Sequence, residues 1–196
     1  MDIATKRQSL KMKETIYIKN MVCNRCIASV LSIFIAENYT VESVDLGKVV
    51  AIKGVNSNRQ DLNNALENIG FEIIKNKTET LVEQIKVMLI HKIEVAETAD
   101  LFKSLGQEFG ENETAISKLF SKPEGITLEK YAINLKIEKV KELIQLGQLN
   151  FSEIAYTLNY KTSSHLARQF KEITGMSMSD NKNSQDWDRK SLAQII

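Results

Sequence analysis

The chain has 196 residues, 43% of them apolar and 26% charged, with a formal net charge of +1. That is the balance of an ordinary soluble protein holding two small domains or one medium one. No apolar run approaches the ~20 residues of a membrane-crossing helix. The opening MDIATKRQSLKMK is basic but lacks the apolar stretch of a secretory signal. A cytoplasmic protein with a frayed N-terminus and no membrane partner is therefore expected. Residues 1–77 hold 11 Lys+Arg against 8 Asp+Glu, leaving 15 against 17 from residue 78 onward out of totals of 26 and 25. The second half is slightly acidic, so its affinity for a polyanion would have to come from local clustering and should be modest.

Glu14 to Met21 alternates, with Ile16 and Ile18 on one side and Thr15 and Tyr17 on the other, the mark of a half-buried strand. VCNRC follows, then IASVLSIFIAEN, whose Val30, Leu31 and Phe34 recur at helical spacing. Thr40 to Asp45 reads as a second strand, Gly47-Lys48 as a turn, and Val49 to Lys53 as the return strand of a hairpin. Arg59 to Ile69 reads as a helix with Leu62, Leu66 and Ile69 inward, stopped by Gly70, and Phe71 to Lys75 as a last strand. The order is β-α-β-β-α-β, the ferredoxin-like arrangement.

Cys23 and Cys26 are the only two cysteines. One close pair cannot staple a fold of this size, so it reads as a metal site or a redox pair. With only His91 and His165 elsewhere, a closed four-ligand zinc site has few candidates, and His91 reads as a surface or packing residue. Two thiolates on a strand-to-helix loop can converge on one soft ion, and the helix N-terminus and Arg25 both favour thiolate over thiol. Met21-Val22-Cys23-Asn24-Arg25-Cys26 resembles the MxCxxC motif of heavy-metal-associated domains, found in copper chaperones and copper-pumping ATPases. LENIGFEII resembles their closing helix-to-strand step, which puts an aromatic such as Phe71 near the metal loop. The resemblance covers about residues 14–76 and departs at Asn20, where the family has glycine. It implies Cu(I), or another soft metal ion, bound by Cys23 and Cys26, with Met21 packed beneath the loop. A reversible disulfide and an inert pair remain as other readings.

Thr80 to Glu94 reads as one amphipathic helix with Leu81, Val82, Ile85, Leu89 and Ile93 inward, a stiff connector over residues 78–95 without a Gly/Ser tract. LGQEFGENETAISKLFSKPEGIT then anticipates a later stretch, FSEIAYTLNYKTSSHLARQFKEITGMS. Leu105 matches Ile154, Phe109 Leu158, Phe120 Phe170, and Gly125 Gly175, with the first copy one residue shorter across its turn. In the second copy Ile154, Ala155 and Leu158 form one stripe, Asn159-Tyr160 breaks it, and Leu166, Phe170 and Ile173 form another. Two short amphipathic helices around a tight turn make a helix-turn-helix, although a hairpin that merely packs gives the same pattern. Leu128 to Leu146 reads as a long helix between the copies, with Tyr131, Leu135, Ile137, Val140, Leu143 and Ile144 inward. The tail, residues 180–196, is polar until Leu192, and Trp187 and Ile195-Ile196 suggest a weak docking helix.

SEIAYTLNYKTSSHLARQFKEITGMS closely resembles the second helix-turn-helix of AraC/XylS-family transcription regulators, with an IAxxxGF/Y turn, then F/L-x-R-x-F-K and a T-G-x-S segment. It departs at Asn159 for the turn glycine, tolerable because Asn also visits positive φ, and at Met178 for the proline after Ser177. GITLEKYAINLKIEKVKELI resembles that family's linker helix, which holds two recognition helices about one DNA turn, roughly 34 Å, apart. The resemblance implies an all-α DNA-binding domain over residues 96–179. Lys161, Thr162, Ser163, Ser164, His165 and Arg168 would meet one major groove, and Thr114, Ser117 and Lys118 the other. Glu111 and Glu113 are unwelcome beside phosphate and suggest that the first copy binds weakly or reads a cytosine amino group.

Together these point to a transcription regulator that responds to a soft metal. Its expected partner is double-stranded promoter or operator DNA, with a homodimer and RNA polymerase as further candidate partners. A copper chaperone or buffer whose helical half docks on a protein partner is the alternative, favoured by the acidic balance of that half. No enzyme is expected: the sequence offers no nucleophile-base pair, glycine-rich phosphate loop or carboxylate-histidine cluster.

Overall fold

The computed structural model describes residues 13–184 together with Lys190 and Ile195. The expected frayed N-terminus, Trp187, Leu192 and Ile196 lie outside the described residues. The chain divides into two compact units, Met1–Thr80 and Leu81–Ile196.

The first unit runs β1 (Lys13–Lys19), α1 (Asn24–Ala36), β2 (Tyr39–Asp45), β3 (Lys48–Lys53), α2 (Arg59–Glu67) and β4 (Glu72–Ile73). The four strands form one antiparallel sheet in the order β2-β3-β1-β4. Its core gathers Ile16 and Ile18 of β1, Val30 and Phe34 of α1, Val49 and Ala51 of β3, and Leu62 and Leu66 of α2. The alternation in β1 therefore sends its isoleucines to the helices, as the pattern predicts. β1 stops at Lys19 rather than Met21 because Asn20 takes φ 72 and turns the chain.

Two expectations in this unit are corrected. Ile69 is half exposed and not part of the inward stripe. α2 ends at Glu67, and the Phe71 N–H donates to the Leu66 carbonyl, so Phe71 takes the buried place. Gly70 makes that reversal possible at φ 87, where a side chain would be strained. The last strand is two residues, not five. It pairs only with Ile18 and Lys19, and Asn76 then turns the chain, its side-chain oxygen accepting from the Glu79 N–H at 2.8 Å.

The second unit is helical: α3 (Lys77–Glu94), α4 (Leu101–Phe109), α5 (Glu113–Glu124), α6 (Leu128–Leu146), α7 (Phe151–Thr157), α8 (Ser163–Thr174) and α9 (Met178–Asn183). α3 crosses the boundary between the units. From Leu81 on it is packed into the helical unit, with Val82, Ile85, Leu89, Ile90 and Ile93 buried. Lys86 binds Glu124 of α5 at 2.6 Å and lies 5.9 Å from the Tyr131 ring of α6. The tail expected from residue 180 begins inside α9, which starts on a Ser177–Asp180 capping box.

α6 is the spine. Its 19 residues span about 28 Å at 1.5 Å per residue, and α5, α7, α8 and α9 all pack on it. Tyr131 meets Phe120 of α5 with ring centroids 5.2 Å apart. Ile137, Val140 and Ile144 join Ile154, Leu158, Leu166 and Phe170 of the second copy in one cluster. Leu143 sits at the edge of that cluster, half-buried. One helix thus carries a helix-turn-helix at each end.

Candidate nucleic-acid interface and thiol loop

The two copies share their punctuation. In the first, α4 ends on Gly110 at φ 67, and Asn112 caps α5 by accepting from the Ala115 N–H at 2.9 Å. In the second, α7 gives way to Asn159 at φ 57, and Thr162 caps α8 by accepting from the His165 N–H at 3.1 Å. Left-handed residue and cap are two positions apart in the first copy and three in the second, so the one-residue difference lies in the turn. Both second helices end on a left-handed glycine, Gly125 at φ 70 and Gly175 at φ 79. Asn159 adopts the conformation that its place in the turn requires.

Each second helix is anchored by an inward pair and turns a polar flank to solvent. Ile116 and Phe120 hold α5, and Leu166 and Phe170 hold α8, all essentially buried. Each such side chain contributes about 1.5–3 kcal/mol. Thr114 and Lys118 are exposed and Ser117 is half-buried; Glu111 and Glu113 are exposed beside them. Around α8, Lys161, Thr162, Ser164 and Arg168 are exposed, and Ser163 and His165 are half-buried. Lys161 belongs to the turn and Thr162 to the cap, so the helical part of the flank begins at Ser163. Ile173, expected inward, is 42% exposed. Near the end of α8 the Thr174 hydroxyl bonds back to the Phe170 carbonyl at 2.8 Å.

A brace of three side chains, not singled out from the sequence, fixes α8 against α6. The Lys136 ammonium donates to the Leu158 carbonyl at 3.1 Å and lies 5.4 Å from the centre of the Tyr160 ring. Tyr160 donates its phenol proton to Gln169 Oε1 at 2.7 Å and meets the His165 ring edge-on with centroids 5.5 Å apart. Burial pushes the Tyr160 phenol up to about 12. It holds the Lys136 ammonium below the usual lysine range. The one sequence signal for Lys136 was its place between the inward Leu135 and Ile137, which suits a side chain with an apolar stem.

The first unit carries the thiols. Asn20, in the left-handed region, donates its side-chain amide to the Gly70 carbonyl at 2.9 Å and so ties the loop to the end of α2. Met21 is fully buried in the core, together with Phe71. Cys23 stands at the N-cap of α1 and Cys26 in its first turn, with their sulfurs 3.2 Å apart. Burial pushes the Cys23 thiol up, but the Cys26 N–H and thiol, the Arg25 N–H and the Arg25 charge together outweigh it, and the group lies below the usual thiol range. Cys26 is pushed above that range, first by burial and then by donating to Cys23. Of the two, Cys23 is thus the sulfur that ionises first. Among the described residues no cluster of three or more His, Cys, Asp or Glu could hold a metal ion, and His91 is exposed on α3.

Among the described residues no helix is long and apolar enough to cross a membrane. Residues 105–184 match a family model described as a helix-turn-helix domain. Residues 105–184, from within α4 through α9, therefore form a helix-turn-helix domain. Among solved structures, the chain is similar to the C-terminal domain of AraT, a response regulator from Geobacillus stearothermophilus, at 17% identity with a TM-score of 0.49, covering 59% of this chain and 92% of that one. It is also similar to the transcriptional regulator CdpR from Pseudomonas aeruginosa, at 13% identity with a TM-score of 0.43, covering 71% of this chain and 46% of that one. No curated protein matches.

Proposed function

We propose that this chain is an AraC-type transcription regulator that binds promoter DNA through both helix-turn-helices and answers to a soft metal ion, Cu(I) first among them, taken up by Cys23 and Cys26. The observation that carries the DNA reading is the repeated motif on one spine: matched caps, matched left-handed turns and outward polar flanks at both ends of α6. A hairpin built only for packing has no need of two such flanks. Thr114, Ser117 and Lys118 would work in one groove, and Lys161, Thr162, Ser163, Ser164, His165 and Arg168 in the next. Arg168 is exposed and has the five-donor fork that pairs with guanine or grips phosphate. Arg168→Ala should weaken operator binding by about 1–3 kcal/mol, and an unchanged affinity by fluorescence anisotropy would remove Arg168 from the interface.

The metal reading is supported by the donor set. Two sulfurs on one loop, one of them predisposed to ionise, suit a soft ion that accepts two ligands. The antiparallel order β2-β3-β1-β4 around a β-α-β-β-α-β chain favours a ferredoxin-like, heavy-metal-associated module. Cu(I) titration should saturate at one ion per chain and disappear in the Cys23→Ser/Cys26→Ser variant; undiminished binding in that variant would end the metal reading. The regulator acts by binding, without chemistry of its own, as a homodimer or with RNA polymerase at the promoter. A copper chaperone or buffer is the second reading, favoured by the acidic balance of the helical half. Binding to random DNA separates the two, because a regulator loses affinity steeply as salt rises and a chaperone has no such slope.

A further inference from the structure

A cavity of about 300 Å³ opens beside the brace, walled by α4, α6 and the start of α8. That is the lower end of the range for small-molecule sites. Leu101, Phe102, Ala132 and Ile133 give it an apolar side, and Lys136, with Tyr160, gives it a polar end. We propose that this cavity binds a small organic monocarboxylate, with the carboxylate on Lys136 and the apolar body against α4 and α6.

Lys136 carries the argument. The other well-buried lysines each have a carboxylate: Lys86 has Glu124, Lys139 has Glu94 and Glu142, and Lys141 has Glu138. Among the described residues, Lys136 has none, and its polar contacts are one carbonyl and one ring face. A half-buried cation met only by neutral groups is costly, and a carboxylate beside it offsets part of that cost. An ammonium has three N–H donors, and the Leu158 carbonyl takes one. Lys161 and His165 at the same cavity add donors without adding an acid.

Glu129 sets the charge of the occupant. It lines the cavity seven residues before Lys136 on α6, about 10 Å away along the helix. A second anionic group at that end would be repelled, so the body of the molecule is neutral. Lys161 and His165 also belong to the proposed DNA flank, so an occupant should change DNA affinity. That consequence rests on the regulator reading; the binding itself does not.

The test is titration of the full chain with cyclohexanecarboxylate, followed by amide NMR. Saturable shifts centred on Ala132, Ile133, Tyr160 and Gln169 are expected, with binding about tenfold weaker for cyclohexanecarboxamide, which lacks the charge. Lys136→Met should abolish the shifts. Should that variant not fold, the carboxylate-to-amide ratio in the parent decides alone. Equal binding of acid and amide, shifts elsewhere, or displacement by equimolar inorganic phosphate would overturn the assignment, the last by showing a plain anion or DNA-phosphate site. Carboxylate binding without any change in promoter affinity would leave the site standing and remove its link to DNA.

Discussion

Replacing Gly106 by alanine sets two effects against each other inside the first helix-turn-helix. Gly106 lies within α4, where alanine is favoured over glycine by about 1 kcal/mol. Propensity alone therefore predicts a stabilised protein. The fold reverses the sign. A Cβ at Gly106 would stand 2.8 Å from the Glu111 carbonyl oxygen, closer than those atoms can rest. That oxygen belongs to backbone held on both sides. The Glu111 N–H donates to the Gly106 carbonyl at 3.1 Å, and the next residue, Asn112, caps α5. Relieving the overlap moves the turn, at about 1–3 kcal/mol, and loosens a cap worth about 1 kcal/mol. The net expectation is a loss of about 1–2 kcal/mol, or roughly 3–8 °C in the melting of the helical half. Circular dichroism at 222 nm measures it. Gly110→Ala is the control: its φ of 67 carries left-handed strain, but nothing lies within 4 Å of the added carbon, so the cost should be only about 1–2 kcal/mol without displacement of the turn. Promoter affinity should fall for Gly106→Ala beyond what Gly110→Ala loses. A melting temperature for Gly106→Ala equal to or above the parent's would mean that the turn yields to the methyl group without cost.

Three further outcomes follow from the geometry. Iodoacetamide should alkylate Cys23 well before Cys26, with a pH midpoint below the ordinary thiol value, because Cys23 is lowered and Cys26 raised; Cys26→Ser should move that midpoint up, and equal labelling of both sulfurs would contradict the asymmetry. Tyr160→Phe should lose about 1 kcal/mol with its bond to Gln169. Since the folded phenol sits near 12 against about 10 unfolded, its contribution is complete below pH 10 and lost as pH rises through 12, so the parent should lose stability across that window faster than the variant in urea melts. Finally, Lys86→Met leaves Glu124 buried without its cation, and a loss of about 3–5 kcal/mol is expected; urea denaturation showing less than 1 kcal/mol would mean that the acid finds water.

Much of the fold was legible because local rules and tertiary structure agree. The limits of α6 follow from a threonine cap, an unbroken apolar stripe and a closing glycine, and nothing distant needs to be known to place them. The doubled motif and the Cys23–Cys26 loop were equally visible, since spacing alone sets them. What failed did so where a helix end met the rest of the chain. Ile69 and Ile173 keep helical spacing yet leave the core: Ile69 lies beyond the end of α2 and Ile173 in the last turn of α8, and periodicity does not register where a helix stops.

The order of elements, the paired turns and the thiol spacing can be read along the chain, because each depends on residues within a turn or two of one another. Packing across the fold established that Lys136 has no acid bonded to it among the described residues, that Tyr160 bridges Gln169 and His165, and that Gly106 has no room for a methyl group. One cause is common to the three. Each depends on atoms brought together by packing across α4, α6 and the second helix-turn-helix or by the fold of a turn, and the charge, reach and clearance of a side chain are fixed by such neighbours rather than by its place in the chain.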